Sequence, residues 1–281
     1  MSKKVEIWLI VATVLILVGA LLFAGIMMSL GWDFTKLSAV DFEINQYEVV
    51  QKYESINITT ITSDVMIILS EDNDTRVDCF EKEYLKHTVE VINGTLNIEV
   101  VDTRDWYNHL DINFHKPRIK VYIPRGEYNN LSIKATTGDI TICEELAFRN
   151  IDVSLTTGDI SCGASATNNI KLKSTTGDVR LEGLRAWNIE ASLSTGDISL
   201  RNVVATGELY VTGTTGNIRL DECDATWTRI RLSTGNVKGS FLTPKIITAK
   251  TTTGSVDVPQ STTGGLCEIT TTTGNIKITI K

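Results

Sequence analysis

Four aspartates at a fixed spacing are the first residues in this chain that could do chemistry. Asp139, Asp159, Asp178 and Asp197 each follow a glycine and recur every 19 or 20 residues. Stacked on neighbouring strands about 4.8 Å apart, they would form a column of carboxylates, and oxygen donors that close together attract Ca2+. In later repeats the same place holds Asn217, Asn236, Ser255 and Asn275, with no break in period. Carboxylate, amide and hydroxyl share one ability, hydrogen bonding to backbone in a bend. The column is therefore expected to cap its own turns, and no metal ligand is assigned to it. A second candidate is Asp105-Trp106-Tyr107, with Asp102 and Asp111 nearby. Aromatic faces stack on sugar rings and carboxylates accept sugar hydroxyls; the competing role is a cap whose aromatics cover the end of a core. The histidines are His87, His109 and His115, and none sits in a ligand-spaced motif. There is no Gly-x-Ser-x-Gly elbow, no His-Glu-x-x-His pair and no phosphate-cradling loop. No catalytic, cofactor-binding or metal-binding residue is assigned, and no cofactor is expected.

The elements that must position these residues follow from the glycines: Gly138, Gly158, Gly177, Gly196, Gly216, Gly235, Gly254 and Gly274. Each is preceded by Thr, and that Thr by Thr or Ser. Apolar residues fall seven and five places before each Gly, as in Ile170/Leu172, and two and four places after it, as in Val179/Leu181. Both sets have period two, so each repeat is read as two short strands with one inward face. The step from five before to two after is odd, so a turn resets the alternation, and Thr-Thr-Gly-Asp is that turn. The paired threonines are expected to form a hydroxyl ladder between coils. A repeat this short cannot bury its own apolar face, but stacked repeats can. The expected fold is all-β, a single-stranded parallel β-helix of 19–20 residues per coil. It is expected to be right-handed, the usual hand of parallel crossovers.

The same spacing extends upstream to a degenerate coil on Ser63, flanked by Ile56/Ile58 and Val65/Ile67. Between it and Gly138 the period breaks. Residues 88–100 alternate around Asn93-Gly94, the pattern of a hairpin. The expected organisation is a tail at 1–6, a membrane span at 7–32, a linker at 33–55, a first coil with a strand-rich insertion that caps the stack at 56–130, and repeats at 131–281. Residues 7–32 carry no charged side chain, long enough to cross a bilayer as a helix. Lys3 and Lys4 precede them and Asp33 follows, which places the N-terminus in the cytoplasm and the repeats outside. A cleaved signal peptide would have a shorter apolar core.

The chain holds 27 basic and 34 acidic residues, a net charge of −7. Without Lys3, Lys4 and Glu6 the balance is 25 against 33, or −8, which disfavours nucleic acid and anionic lipid surfaces as partners. The cysteines are Cys79, Cys143, Cys162, Cys223 and Cys267, with no CxxC pair to suggest zinc. Cys162 and Cys267 fall on inward positions and are expected in the core. The offsets of Cys143 and Cys162 from their glycines differ by one, which points them to opposite faces and argues against a disulfide.

Several stretches resemble the LiaG-like β-strand-repeat family. They are the Lys86–Leu96 block, Asp105–Tyr107, the Thr-Thr-Gly-Asp repeats, and the closing Thr262–Thr270 and Thr273–Ile278. The resemblance covers essentially the whole chain and implies a membrane-anchored protein of a Gram-positive cell envelope, of a kind described as candidate adhesins or domains of unknown function. It brings no catalytic motif. The expected function is a non-catalytic, membrane-anchored, extracytoplasmic solenoid acting in adhesion, envelope sensing or scaffolding, with a cell-wall polymer or envelope protein as partner. The alternative is a β-helix enzyme acting on surface polysaccharide, and coils of 19 or 20 residues leave little loop from which to build its site.

Overall fold

The structure is a computed structural model that describes residues 3–32, 42–82, 84–103 and 116–281. It divides into two units, Met1–Asp41 with Arg104–His115, and Phe42–Thr103 with Lys116–Lys281.

In the first unit, α1 (Lys3–Ser29) contains one apolar stretch, Val5–Ser29, of 25 residues. At 1.5 Å per residue that is about 37 Å, enough to cross a hydrocarbon core of about 30 Å. Two of its hydroxyls bond within the helix, Thr13 to the Leu9 carbonyl and Ser29 to that of Ile26. The helix ends where Gly31 takes φ +68°, and the Trp32 and Gly31 N–H groups bond back to the Met27 and Met28 carbonyls.

The second unit is all β. Strands β8 (Glu127–Thr137), β10 (Ala147–Thr157), β12 (Ser165–Thr176), β15 (Asn188–Thr195), β17 (Val204–Thr215) and β18 (Ile218–Thr234) pair in parallel with the strand one repeat away. After each turn the short strands β9 (Ile140–Ile142), β11 (Ile160–Cys162), β13 (Val179–Glu182) and β16 (Ile198–Arg201) stack likewise. The offsets read from the sequence fix the register: Leu172 lies beside Val153 on one side and Ala191 on the other, all three buried. Cys162 and Cys267 are core residues, and all five cysteines are free thiols.

The coil has more inward positions than the two sets above. The residue three before Gly is also buried, as in Leu155, Leu193 and Leu232. A short third side carries Leu184 and Ala186 against Val203 and Ala205, with β14 (Arg185–Ala186) paired to the start of β17. Sequence alternation alone missed this side because it is only two residues long. Truncating Leu172 to Ala should cost about 2–5 kcal/mol through the cavity it leaves. Because stacked coils are coupled through their neighbours, hydrogen exchange should quicken at residues 151–200 and leave the last coils protected.

The turn differs from expectation in what its polar residue does. Asp139 Oδ1 accepts the backbone N–H of Asp159 at 3.0 Å, Asp159 that of Asp178 at 2.8 Å, and Asp178 that of Asp197 at 2.9 Å. Each residue thus caps the next coil instead of its own bend. The N–H of Asp178, aided by Arg180, outweighs burial and holds the Asp159 carboxyl below its usual range. The paired threonines are exposed, and the backbone links them across coils: the Gly177 N–H donates to the Thr195 carbonyl at 3.1 Å.

Following this ladder to its end shows that the last two coils are out of sequence order. Asn217 caps Asn236, Asn236 caps Asn275, and Asn275 caps Ser255. Strand β22 (Gly265–Thr273) pairs with β18 on one side and β20 (Lys245–Thr253) on the other. Similarly β23 (Ile276–Ile280) lies between β19 (Val237–Phe241) and β21 (Val256–Asp257). The C-terminal coil is therefore inserted beneath the Gly254 coil. Lys245, 2% exposed, reaches past Gly265 to bond Asp224 and the Ala225 carbonyl. A Cβ on Gly265 would meet the Ala225 and Thr226 carbonyls at 2.8 and 2.7 Å and Lys245 Nζ at 3.1 Å.

At the other end, β2 (Ser55–Thr60) and β3 (Asp64–Leu69) form the coil on Ser63, paired to β8 and β9. Strands β6 (Thr95–Asp102) and β7 (Arg118–Ile123) lie parallel on its outer side. Beyond them the pairing becomes antiparallel: β5 (Leu85–Ile92) on β6, β4 (Thr75–Lys82) on β7, and β1 (Phe42–Val49) on β4. The β5–β6 connection is the two-residue turn read from the sequence, with Asn93 and Gly94 both at positive φ.

Candidate functional site

Asp105, Trp106 and Tyr107, the sequence candidates for sugar contact, lie outside the described residues, as do His109, Asp111 and His115. Two other arrangements carry the polar side chains of interest.

The first is an open groove of about 610 Å3 on the face of the long strands. Its floor is a column eight places before the turn glycines: Asn130, Asn150, Asn169 and Asn188, then Glu208. The amides bond head to tail, Asn150 Nδ2 to Asn130 Oδ1 at 3.0 Å, Asn169 to Asn150 at 3.3 Å and Asn188 to Asn169 at 3.1 Å. Asn188 Oδ1 then takes the Glu208 N–H at 3.0 Å. The column sits where the strand bends, marked by a register shift between Phe148 and Asn150. Two places further on, Ser132, Asp152, Lys171, Glu190 and Tyr210 project from successive coils along one wall. Five coils at about 4.8 Å make this wall roughly 19 Å long. Lys171 pairs with Glu190 at 3.6 Å. Beyond Tyr210 the wall continues into Arg229, whose guanidinium lies 4.1 Å over the Trp227 ring and 3.7 Å from Glu208. The asparagine column was legible in the sequence at a constant offset from Gly, though its polar side chains carry no apolar period to draw attention.

The second is a buried polar cluster in the antiparallel strands. The Glu81 side chain is fully enclosed, and its Oε2 receives both the His87 backbone N–H and His87 Nδ1 at 2.8 Å, while Asn45 Nδ2 donates to Oε1 at 2.6 Å. Burial alone would push the Glu81 carboxyl up, but these bonds outweigh it and hold it below its ordinary value. Thr60 Oγ1 lies 3.2 Å from His87 Nε2. Cys79, across from Asn45 in register, completes the group, and burial pushes its thiol up to about 12. A hydroxyl, an imidazole and a carboxylate in line resemble a nucleophile relay, yet Thr60, His87 and Glu81 are all buried, so no substrate could reach them. Sequence spacing gave no hint of this cluster, because strand pairing brings its members together.

An all-β stack of short repeats with a ladder-lined face defines a solenoid-like repeat class of fold. Residues 53–281 match the Toastrack DUF4097 family, and the chain belongs to it. No curated protein shows significant similarity to the chain. Among solved structures, a protein provisionally named an adhesin from Bacteroides fragilis is 18% identical, with 85% of this chain and 97% of that one covered at a TM-score of 0.53. Two others provisionally named adhesins are from Parabacteroides merdae (11% identity, 84% and 96% covered, TM-score 0.45) and Parabacteroides distasonis (13%, 86% and 98%, 0.39). At 18% identity, the likeness to the Bacteroides fragilis protein speaks to the fold alone.

Proposed function

We propose that this protein is a non-catalytic module of the cell envelope, tethered by α1 with its N-terminus in the cytoplasm, that offers the groove along the asparagine column to an extended polymer. The observation that carries this reading is the groove's construction. Four successive coils line it at the same three offsets and a fifth at two of them, and the amides of its floor repeat at the coil spacing. A periodic surface suits a periodic ligand such as a cell-wall glycan, whereas catalysis needs unlike groups converging on one bond. The apolar length of α1 and the lysines that precede its apolar stretch support the tether. The provisional name of the Bacteroides fragilis protein accords with a surface role. Within the family, the resemblance of the repeats favours the LiaG-like, Gram-positive branch, and the usual hand of parallel crossovers favours a right-handed parallel β-helix.

The test uses the full chain in detergent with purified cell-wall polysaccharide. The wild type should co-sediment with the polymer and release no soluble sugar. A Lys171→Ala/Tyr210→Ala variant, altered only on the groove wall, should bind about tenfold more weakly, the loss of roughly 1.4 kcal/mol. Sugar release by the wild type, or unchanged binding by the variant, would overturn the reading.

A further inference from the structure

We propose that Cys79, Glu81 and His87 form a structural Zn2+ site that staples the β4–β5 hairpin at the end of the stack. A sulfur, a carboxylate oxygen and an imidazole nitrogen, all buried, lie within 4.8 Å of one another. Around tetrahedral Zn2+, with bonds of about 2.0–2.3 Å, such donors stand roughly 3.3–3.6 Å apart. The Glu81–His87 contact at 2.8 Å must open slightly, and the sulfur, within 4.8 Å of both partners, need close in by no more than about an ångström. Cys79 and Glu81 are two apart on β4 and share one face, and His87 returns on β5 after a short connection.

Three further features favour an ion over a hydrogen-bonded network alone. The Cys79 thiol makes no hydrogen bond among the described residues, so no existing bond holds its sulfur away from an ion. The outer partners that orient metal ligands are in place: Thr60 on His87 Nε2, which leaves Nδ1 as the ligating nitrogen, and Asn45 on the far oxygen of Glu81. Charge also balances. A thiolate, a carboxylate and a neutral imidazole cancel the two charges of Zn2+. Binding displaces the thiol proton, and any proton held between Glu81 and the ligating Nδ1, to solvent. Zn2+ suits this mixture of sulfur, nitrogen and oxygen donors, and a water can take its fourth position.

Because the cluster is enclosed, the ion must enter as the chain folds. The test is therefore metal content after growth in Zn2+-supplemented medium, and absorption after growth in Co2+-supplemented medium. Full-length protein in detergent should carry about one Zn2+ per chain, and the Co2+ form should show a thiolate charge-transfer band. Cys79→Ser should remove the band and weaken Zn2+ retention against a chelator by more than the 10–100-fold typical of an outer-partner loss. Cys143→Ser should change neither. Glu81→Gln, an isosteric change, guards against a misfolded Cys79 variant and should also weaken retention. A metal-free wild type, a Co2+ form without the band, or a Cys79→Ser chain that keeps both band and metal would overturn the site.

Discussion

Replacing Gly177 with valine is expected to destabilise the protein by more than about 3 kcal/mol, the upper end of backbone strain alone. Two costs combine at this position. Gly177 sits at φ +125°, where a side chain is strained whatever the space around it. Its ideal Cβ would also overlap the carbonyl oxygen of Gly158 in the coil before, and that oxygen is backbone and cannot rotate away. The neighbouring Asp178 should behave differently. Asp178→Asn keeps the Oδ1 that accepts the Asp197 N–H at 2.9 Å and loses only an exposed pairing with Arg180, so it should fall within about 0.5 kcal/mol of wild type. Asp178→Ala removes the acceptor and should cost about 1–3 kcal/mol. Denaturant midpoints should rank the series as valine, alanine, asparagine, from most to least damaging. An Asp178→Asn loss as large as that of Gly177→Val would mean that the carboxylate charge itself holds the column.

The sequence made the strand faces legible because burial here is periodic. An inward residue such as Leu172 needs an apolar neighbour at the same offset in each adjoining coil, and the offsets show it. What the period could not convey is order. Every coil presents the same edge, so a repeat can dock on any other that offers a free one, and nothing in Leu-x-Leu alternation says which. The signals that do fix the order are single residues. Ser255 replaces Asx in the one coil that needs only to donate its N–H, having no coil beyond to cap. Gly265 is small because the Ala225 and Thr226 carbonyls, with Lys245 Nζ beside them, crowd it. The Cys79–Glu81–His87 cluster was illegible for another reason: its members converge through antiparallel pairing outside the repeat, and their spacing matches no local ligand motif. The asparagine column was open to view throughout, at one offset from Gly, but polar residues at a bend read as ordinary turn chemistry.

Ending the chain after Ser261 should do far more harm than trimming a terminal layer. In a stack ordered by sequence, residues 262–281 would be the outermost coil, and their loss would leave residues 245–258 fully paired. Here the strand pairing of those residues with the stack runs through β22 and β23. Removing the inserted coil takes away Cys267, Ile269, Ile276 and Ile278, each buried, together with the pairing edge on which β20 and β21 lie. The Gly254 coil could descend onto β18 only by forcing Lys245, now spanning the gap to Asp224, into a single-coil spacing for which its stem is too long. Residues 245–258 should therefore exchange amide hydrogens with almost no protection, a local opening free energy near zero. The Gly235 coil should weaken next, since Asn236 Oδ1 would lose the Asn275 N–H it accepts at 2.9 Å. Coils from Gly138 to Gly196 should keep their protection, because coupling in such a stack runs from neighbour to neighbour. Retained protection at residues 245–258 would show that the coils stack in chain order after all.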